Sequence, residues 1–195
     1  MWTRFVKGGG ILDSAMGDLT RLKEAILYIS RECAGDEKFG AVKLNKILYY
    51  ADFRAYREFG QSITEATYQH LPEGPAPKEL LQARQELVNE GRLEIEPHQV
   101  FSFVQLRPVA KDDSNTEVFA NPVQDTKILD EAIEFLAPYW GYQVSEMSHQ
   151  EWGYRLTQEG EEIPYRTAWL SSEAGTQDQL EAVRRFAEEQ DQVHG

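Results

Sequence analysis

The chain has 195 residues, of which 41% are apolar and 27% are charged, and its formal net charge is −13. This length and apolar fraction predict one folded domain of ordinary size and argue against disorder of the whole chain. The negative charge disfavours nucleic acid and anionic membranes as partners, because both are negatively charged themselves.

The cysteine content and the hydropathy of the sequence indicate the cellular compartment of the protein and exclude some kinds of metal and disulfide site. Cys33 is the single cysteine, which rules out an intrachain disulfide and a thiolate-rich metal site. A lone cysteine fits a reducing compartment. No apolar run approaches the roughly 20 residues that a membrane span needs, and Met1–Val6 lack the apolar core of a signal peptide. We therefore expect a cytoplasmic protein without a metal or other cofactor.

The two ends differ in composition from the middle. Gly8–Gly10 is typical of a flexible linker, and we expect residues 1–15 to form an N-terminal extension. Thr176 begins a pattern typical of a helix N-terminus, with apolar residues after it at helical spacing. We place the folded domain at residues 16–187 and expect an acidic, frayed tail at 188–195.

Two helices are predicted in the first third of the chain. Apolar residues recur every three or four positions from Asp18 to Cys33, which is the period of an α-helix with one buried face. A longer helix covers Ala41–Phe59 and ends before Gly60, since glycine commonly terminates helices. Two apolar stripes predict a core position for this second helix: Leu44, Leu48, Ala51 and Ala55 on one side, and Val42, Tyr49, Phe53 and Tyr56 on another.

A proline-containing turn and a third helix follow. Thr67–Leu71 is predicted as a short extended segment. Gly74–Pro77 is predicted as a rigid turn, because each proline fixes its own φ and restricts the residue before it. We expect Pro77 to begin a third helix and Gly91 to end it, since these residue types are favoured at those positions.

Two strands are predicted after the third helix. Residues 92–96 alternate in polarity and residues 100–106 carry apolar side chains on both faces, so we expect the two segments to pair as a small antiparallel hairpin or wing. A helix followed by a wing also resembles a winged-helix reader of DNA. The predicted helix, however, carries two basic and three acidic residues, which is poor for a helix that must neutralise phosphates. A winged-helix-like DNA-binding regulator is therefore a less favoured alternative function.

The last third of the chain predicts further helices. Asp125 is suited to cap a fourth helix, and residues 144–152 fit a short fifth helix. Residues 159–166 are predicted as a turn and an extended segment. Together the pattern predicts the α+β class: a mainly α-helical single domain with a small antiparallel β-sheet.

The second helix also concentrates positive charge. Between Lys38 and Arg57 there are five basic residues and one acid, although the whole chain is acidic. At about 100° per residue, five positions fall on one face of the helix. We call them the basic face: Lys43, Lys46, Tyr50, Arg54 and Arg57.

Two interpretations of the basic face remain open. In the first, its cations pair with carboxylates of the same chain and only stabilise the fold. In the second, the face contacts an acidic partner or a phosphate group. The five residues are our candidate partner-binding site.

The same helix carries a family resemblance. Residues 43–51, Lys-Leu-Asn-Lys-Ile-Leu-Tyr-Tyr-Ala, resemble the K-L-x-K-L-L-Y-Y-A segment of SocA-like antitoxins, also called the Panacea domain. Residues 59–64 resemble the family's G-x-P-I-T step, with Ser62 where proline is usual, and Tyr68 with residues 74–77 resembles its Y…G-P-V-P turn. The family's C-terminal S-H…W…G-E…I-P-Y pattern resembles Ser148, His149, Trp152, Gly160, Glu161, Ile163, Pro164 and Tyr165.

The resemblance implies an antitoxin of a toxin–antitoxin system, which neutralises a cognate protein toxin by binding it. A protease adaptor or a phage accessory protein built on the same domain is the alternative, and a second copy of the chain is a further candidate partner. The resemblance implies no catalytic residues. It implies structural roles for the shared motif positions Leu44, Leu48, Tyr49, Ala51, Gly74, Pro75, Pro77, His149, Trp152, Pro164 and Tyr165.

Catalytic constellations are weak in this sequence. His149 lies near Glu146 and Glu151, the best local cluster for acid–base chemistry, but no metal-ligand spacing accompanies it. An uncharacterised hydrolase using His149 is a minor alternative, and a hydrogen-bonded structural histidine is favoured. Cys33 has no histidine near it in sequence to activate it as a nucleophile. We therefore predict a binding protein and no enzymatic activity.

Overall fold

The structure, a computed structural model, describes residues 19–100 and 102–170. The predicted N-terminal extension, the helix expected after Thr176 and the acidic tail lie outside these residues, so the domain boundaries stay a prediction. No helix in the described ranges has both the length and the apolar character that a membrane crossing needs.

The described residues form six α-helices and two antiparallel two-stranded sheets, which confirms the predicted α+β, mainly helical class. The strands are Tyr68–Gln69 (β1), Ala76–Pro77 (β2), Leu93–Val100 (β3) and Phe103–Ala110 (β4). The helices are Thr20–Glu32 (α1), Ala41–Phe59 (α2), Leu80–Asn89 (α3), Pro122–Leu136 (α4), Gly141–His149 (α5) and Trp152–Arg155 (α6).

Helix α2 lies at the centre of the molecule and has the predicted boundaries. It packs against α1, α4, α5, β2 and the 3₁₀ turn at Tyr165–Trp169. The first predicted stripe is fully buried, and in the second Tyr49 and Phe53 are buried while Val42 and Tyr56 are half-buried. The helix ends because Gly60 adopts a φ of 75°, which a residue without a side chain reaches at no steric cost.

The prediction that Pro77 begins the third helix was wrong. Pro77 belongs to β2 and pairs with Tyr68, and α3 begins three residues later at Leu80. The amide of Lys78 donates to the Thr67 carbonyl at 2.8 Å, which prolongs the extended pairing past the proline. Proline suits both a helix start and the end of a short strand, so only the partner strand decides between them.

The β3–β4 hairpin is confirmed, but its turn lies further along the chain than predicted. The strands pair from Leu93 with Ala110 to Val100 with Phe103, whereas the sequence pattern placed the turn near residues 97–99. Pro97 pairs with Leu106 inside the ladder. A strand at the edge of a sheet tolerates proline, because one side of its backbone makes no ladder hydrogen bonds.

Two further helix boundaries differ from the sequence prediction. Helix α4 begins at Pro122, and Asp125 lies in its first turn, where its carboxylate accepts from the Asn121 amide at 2.9 Å. The predicted fifth helix is divided into α5 and α6, because the chain is extended at Glu151. The division lets Gly153 approach the segment before the final 3₁₀ turn: a Cβ there would lie 2.7 Å from Ile163 Cγ2.

Candidate partner-binding site

Lys43 of the basic face has its charge satisfied inside the molecule. Its side chain is 1% exposed, and Nζ donates to Asp36 Oδ2 at 2.7 Å and to the Ala137 carbonyl at 3.1 Å. These bonds join α2 to the α1–α2 connection and to the end of α4. For Lys43, the contacts therefore support internal pairing.

Lys46 is also buried, at 0% exposure, and its Nζ donates to the Pro75 carbonyl at 3.1 Å. Burial lowers the pKa of Lys46 to about 8, against the opposing attraction of Glu73. Gly74 makes this packing possible: a Cβ at that residue would lie 2.8 Å from Nζ and 2.4 Å from Ser148 Oγ. The motif residues Gly74 and Pro75 thus form the cover over Lys46, which a partner cannot reach.

The other three residues of the basic face line a pocket of about 260 Å³. Arg54 is held by two carboxylates, with Nε 2.8 Å from Glu58 Oε1 and a terminal nitrogen 2.5 Å from Glu131 Oε2. Arg57 is freer, because its side chain is 55% exposed and lies 3.9 Å from Glu58 Oε1. We call this cavity the Arg57 pocket, and the lining residues considered are Tyr50, Arg54, Arg57, Glu131, Phe135 and Glu151.

Tyr50 links the polar and apolar sides of the Arg57 pocket. Its hydroxyl donates to the Glu151 carboxylate, and its ring meets the exposed ring of Phe135 edge to face at 5.7 Å. Burial raises the pKa of Glu151, and the hydrogen bond from Tyr50 and the charge of Arg57 oppose that rise. The pocket combines one accessible cation, one exposed aromatic ring and internally engaged carboxylates.

Asp52, which was not among the predicted site residues, is fully buried on α2. Its Oδ1 accepts from the amides of Ile63 and Thr64, both at 2.9 Å. Its Oδ2 accepts from the Thr64 hydroxyl and from the Tyr68 hydroxyl at 2.8 Å, and the Tyr165 hydroxyl oxygen lies 3.5 Å away. Asp52 is the one acid in the basic stretch of α2, and that isolation was the available signal.

The remaining motif positions occupy the same region. Leu44, Leu48 and Ala51 are fully buried, and Tyr49 is nearly so. Tyr165 follows Pro164, the residue before the final 3₁₀ turn, and its hydroxyl donates to the Ala66 carbonyl at 2.7 Å. These contacts agree with structural roles for the motif residues, an assignment that stays a prediction.

His149 belongs to a stack of rings. The Tyr154 ring stacks against His149 at 4.5 Å and against His70 at 3.6 Å, and His70 Nδ1 lies 3.0 Å from Thr157 Oγ1. His149 Nε2 is buried without a hydrogen-bond partner in the structure. Trp152 lies at the start of α6, and the guanidinium carbon of Arg155 lies 4.6 Å from the centre of the Trp152 ring. Across residues 19–100 and 102–170, no three His, Cys, Asp or Glu side chains are grouped to hold a metal ion.

Cys33 is buried, and burial raises the pKa of its thiol to about 12. Since the thiolate is the nucleophilic form, the environment of this residue opposes reactivity.

A second surface feature lies away from the basic face. A groove of about 470 Å³ runs between β4 and the first residues of α2 and α5. The name apolar groove refers below to the cavity whose walls include Val42, Phe103, Val104, Leu106, Trp140 and Tyr142. No sequence pattern predicted this groove, because its walls come from three distant segments.

Comparison with known proteins gives one finding. Residues 44–153, more than half of the chain, match the family described as antitoxin SocA-like, Panacea domain. The matched region begins in α2 and ends in α6, so it includes the motif residues up to Trp152 and most of the residues around both cavities. No curated protein sequence matches the chain.

Proposed function

Because this chain belongs to the family of SocA-like antitoxins with the Panacea domain, we propose that it neutralises a cognate protein toxin by binding it directly. The observation that carries the proposal is the family match over residues 44–153. The family is generally non-enzymatic, so we assign no chemical step to the chain. The single cysteine, Cys33, supports action in the reducing cytoplasm.

The Arg57 pocket is the surface that we assign to the toxin. Arginine and aromatic side chains dominate the energetically important positions of protein interfaces, and here an accessible Arg57 lies beside the exposed Phe135. Glu131 is already engaged by Arg54, and Glu151 by Tyr50. An acidic side chain of the toxin next to an apolar one would fit this arrangement.

The first experiment tests neutralisation itself. Products of the genes on either side are expressed with and without this chain, and growth is measured. We expect one neighbour to be toxic and the chain to restore growth. If neither neighbour is toxic, or growth is not restored, the proposed function is wrong. The abundance of the toxin in the rescued cells separates sequestration from delivery to a protease, because only delivery removes the toxin.

Charge reversal tests the assigned surface. We expect Arg57→Glu to weaken toxin binding at least tenfold, or about 1.4 kcal/mol, because it places a carboxylate against an acidic partner group. The matched control is Arg31→Glu on α1, since the Arg31 side chain is 54% exposed and also pairs with a carboxylate, that of Asp113. Titration calorimetry measures both. Equal affinities for the two variants would remove the Arg57 pocket from the interface.

A further inference from the structure

The apolar groove is bordered by an unusual concentration of exposed apolar side chains. Phe103, Val104, Leu106 and Tyr142 are between 50 and 68% exposed, and all four line the groove. Soluble monomers rarely leave a contiguous apolar patch of this kind open to water, and such patches mark interaction sites.

The walls of the groove are almost free of charge. Lys43 is the single charged residue among them, and its ammonium is buried against Asp36 and the Ala137 carbonyl. A basic partner would find no carboxylate in these walls to pair with. A second copy of this chain also carries −13, so it can approach closely only where neither surface contributes charge.

The apolar groove also has both parts of a symmetric contact: exposed side chains and a cavity that could receive such side chains from a second copy. Phe103 and Val104 follow the turn of the hairpin and are half-exposed, while Trp140 and Tyr142 form the opposite wall of the cavity. A two-fold symmetric dimer needs a surface of this sort, on which one patch supplies the side chains and the space that receives them.

We propose that the apolar groove is a dimer interface, in which each copy packs Phe103 and Val104, at the start of β4, into the groove of the other. Four large side chains, each about half exposed, supply roughly 400 Å² per subunit, and neighbouring backbone and side chains extend the contact toward the roughly 800 Å² of a standard interface.

This proposal does not rest on the toxin. The apolar groove and the Arg57 pocket share no lining residue, so the dimer can form whether or not the chain binds a toxin there.

Sedimentation equilibrium of the full chain from about 1 to 100 μM tests the dimer. We expect a reversible monomer–dimer equilibrium whose dissociation constant rises at least tenfold in Val104→Glu and, separately, in Tyr142→Glu. Two variants on different segments guard against a local folding defect in either one. The controls are Val123→Glu on α4 and Leu81→Glu on α3, which lie outside the groove and are 87 and 75% exposed before the change. Both should dimerise like the unmodified chain.

Several outcomes would overturn the proposal. An unmodified chain that stays monomeric across the range, or groove variants that dimerise normally, would remove the interface. Controls that dissociate as much as the groove variants would show a general effect of added negative charge. A chain that is monomeric but loses toxin binding on Val104→Glu would assign the groove to the toxin.

Discussion

At the scale of single residues, the interior of this protein depends on one carboxylate. Asp52 accepts hydrogen bonds from Ile63, Thr64 and Tyr68, and the Tyr165 hydroxyl oxygen lies 3.5 Å from it. Burial raises the pKa of Asp52, and the hydrogen bonds from Thr64, Tyr68 and Ile63 oppose that rise. The carboxylate therefore joins α2 to the loop before β1 and to β1 itself, and it contacts the final 3₁₀ turn through Tyr165.

Removing the Asp52 carboxylate should strongly destabilise the folded protein. We expect Asp52→Ala to lower the free energy of unfolding by more than about 3 kcal/mol, because several buried donors lose their acceptor together. The control is Asp130→Ala, since Asp130 also accepts from a tyrosine, Tyr28 at 2.8 Å, but is only half-buried. Urea unfolding measures both variants. Similar losses for the two would show that the Asp52 cluster is not special.

Lys46 makes a prediction about pH. Its pKa is about 8 in the folded protein, against about 10.5 in an unfolded chain, so between these values the unfolded state binds more protons. Stability contributed at this position should therefore rise as pH increases from about 8 to about 10.5, by on the order of 3 kcal/mol in total.

The measurement compares the unmodified chain with Lys46→Met, which fills the same space without a charge. Their difference in free energy of unfolding is followed by urea titration between pH 7 and pH 10, so that other titrating groups cancel. The free energy of unfolding of the unmodified chain should increase relative to that of the variant as pH rises. A constant difference would mean that Lys46 keeps its ordinary pKa in the folded state.

At the scale of elements, an ion pair holds the base of the hairpin to α1. The Arg92 guanidinium donates to both oxygens of the buried Glu24 carboxylate, at 2.8 and 3.1 Å. The same carboxylate accepts from the Asn115 amide at 2.7 Å. The pair therefore connects α1, the start of β3 and the segment after β4.

We expect Arg92→Met to lower the free energy of unfolding by about 3 kcal/mol or more, because it leaves a buried carboxylate without its partner. Lys111→Met is the control: Lys111 pairs with Glu94 and Glu96 on the exposed side of the hairpin, and exposed pairs contribute little to stability because water screens them. Thermal or urea unfolding distinguishes the two. A small effect at Arg92 would show that the hairpin is held by its apolar contacts alone.

At the scale of the whole molecule, α2 organises two separate surfaces. Its first residues line the apolar groove, and its C-terminal half lines the Arg57 pocket. Between them, its apolar stripes and the buried Asp52 hold the surrounding helices in place. We propose that this arrangement lets one domain dimerise and bind a toxin at the same time.

Much of the fold was predictable where the signal was local. The α2 boundaries follow from the apolar period and from Gly60, whose positive φ depends on the chemistry of a single residue. Pro77 and the hairpin turn were assigned incorrectly because their outcome depends on pairing with other segments. Local propensity describes what a residue tolerates, and the partner strand selects among the tolerated states.

The basic face separates what local sequence predicts from what long-range contacts determine. The helical repeat alone requires that these five residues share one side of α2. Contacts with distant parts of the chain cover Lys43 and Lys46 and leave Arg57 accessible. The covering groups are Asp36, the Ala137 carbonyl and the Pro75 carbonyl. Pro75 is 29 positions from Lys46 along the chain, and Ala137 is 94 positions from Lys43. A helical period carries no information about contacts at such separations.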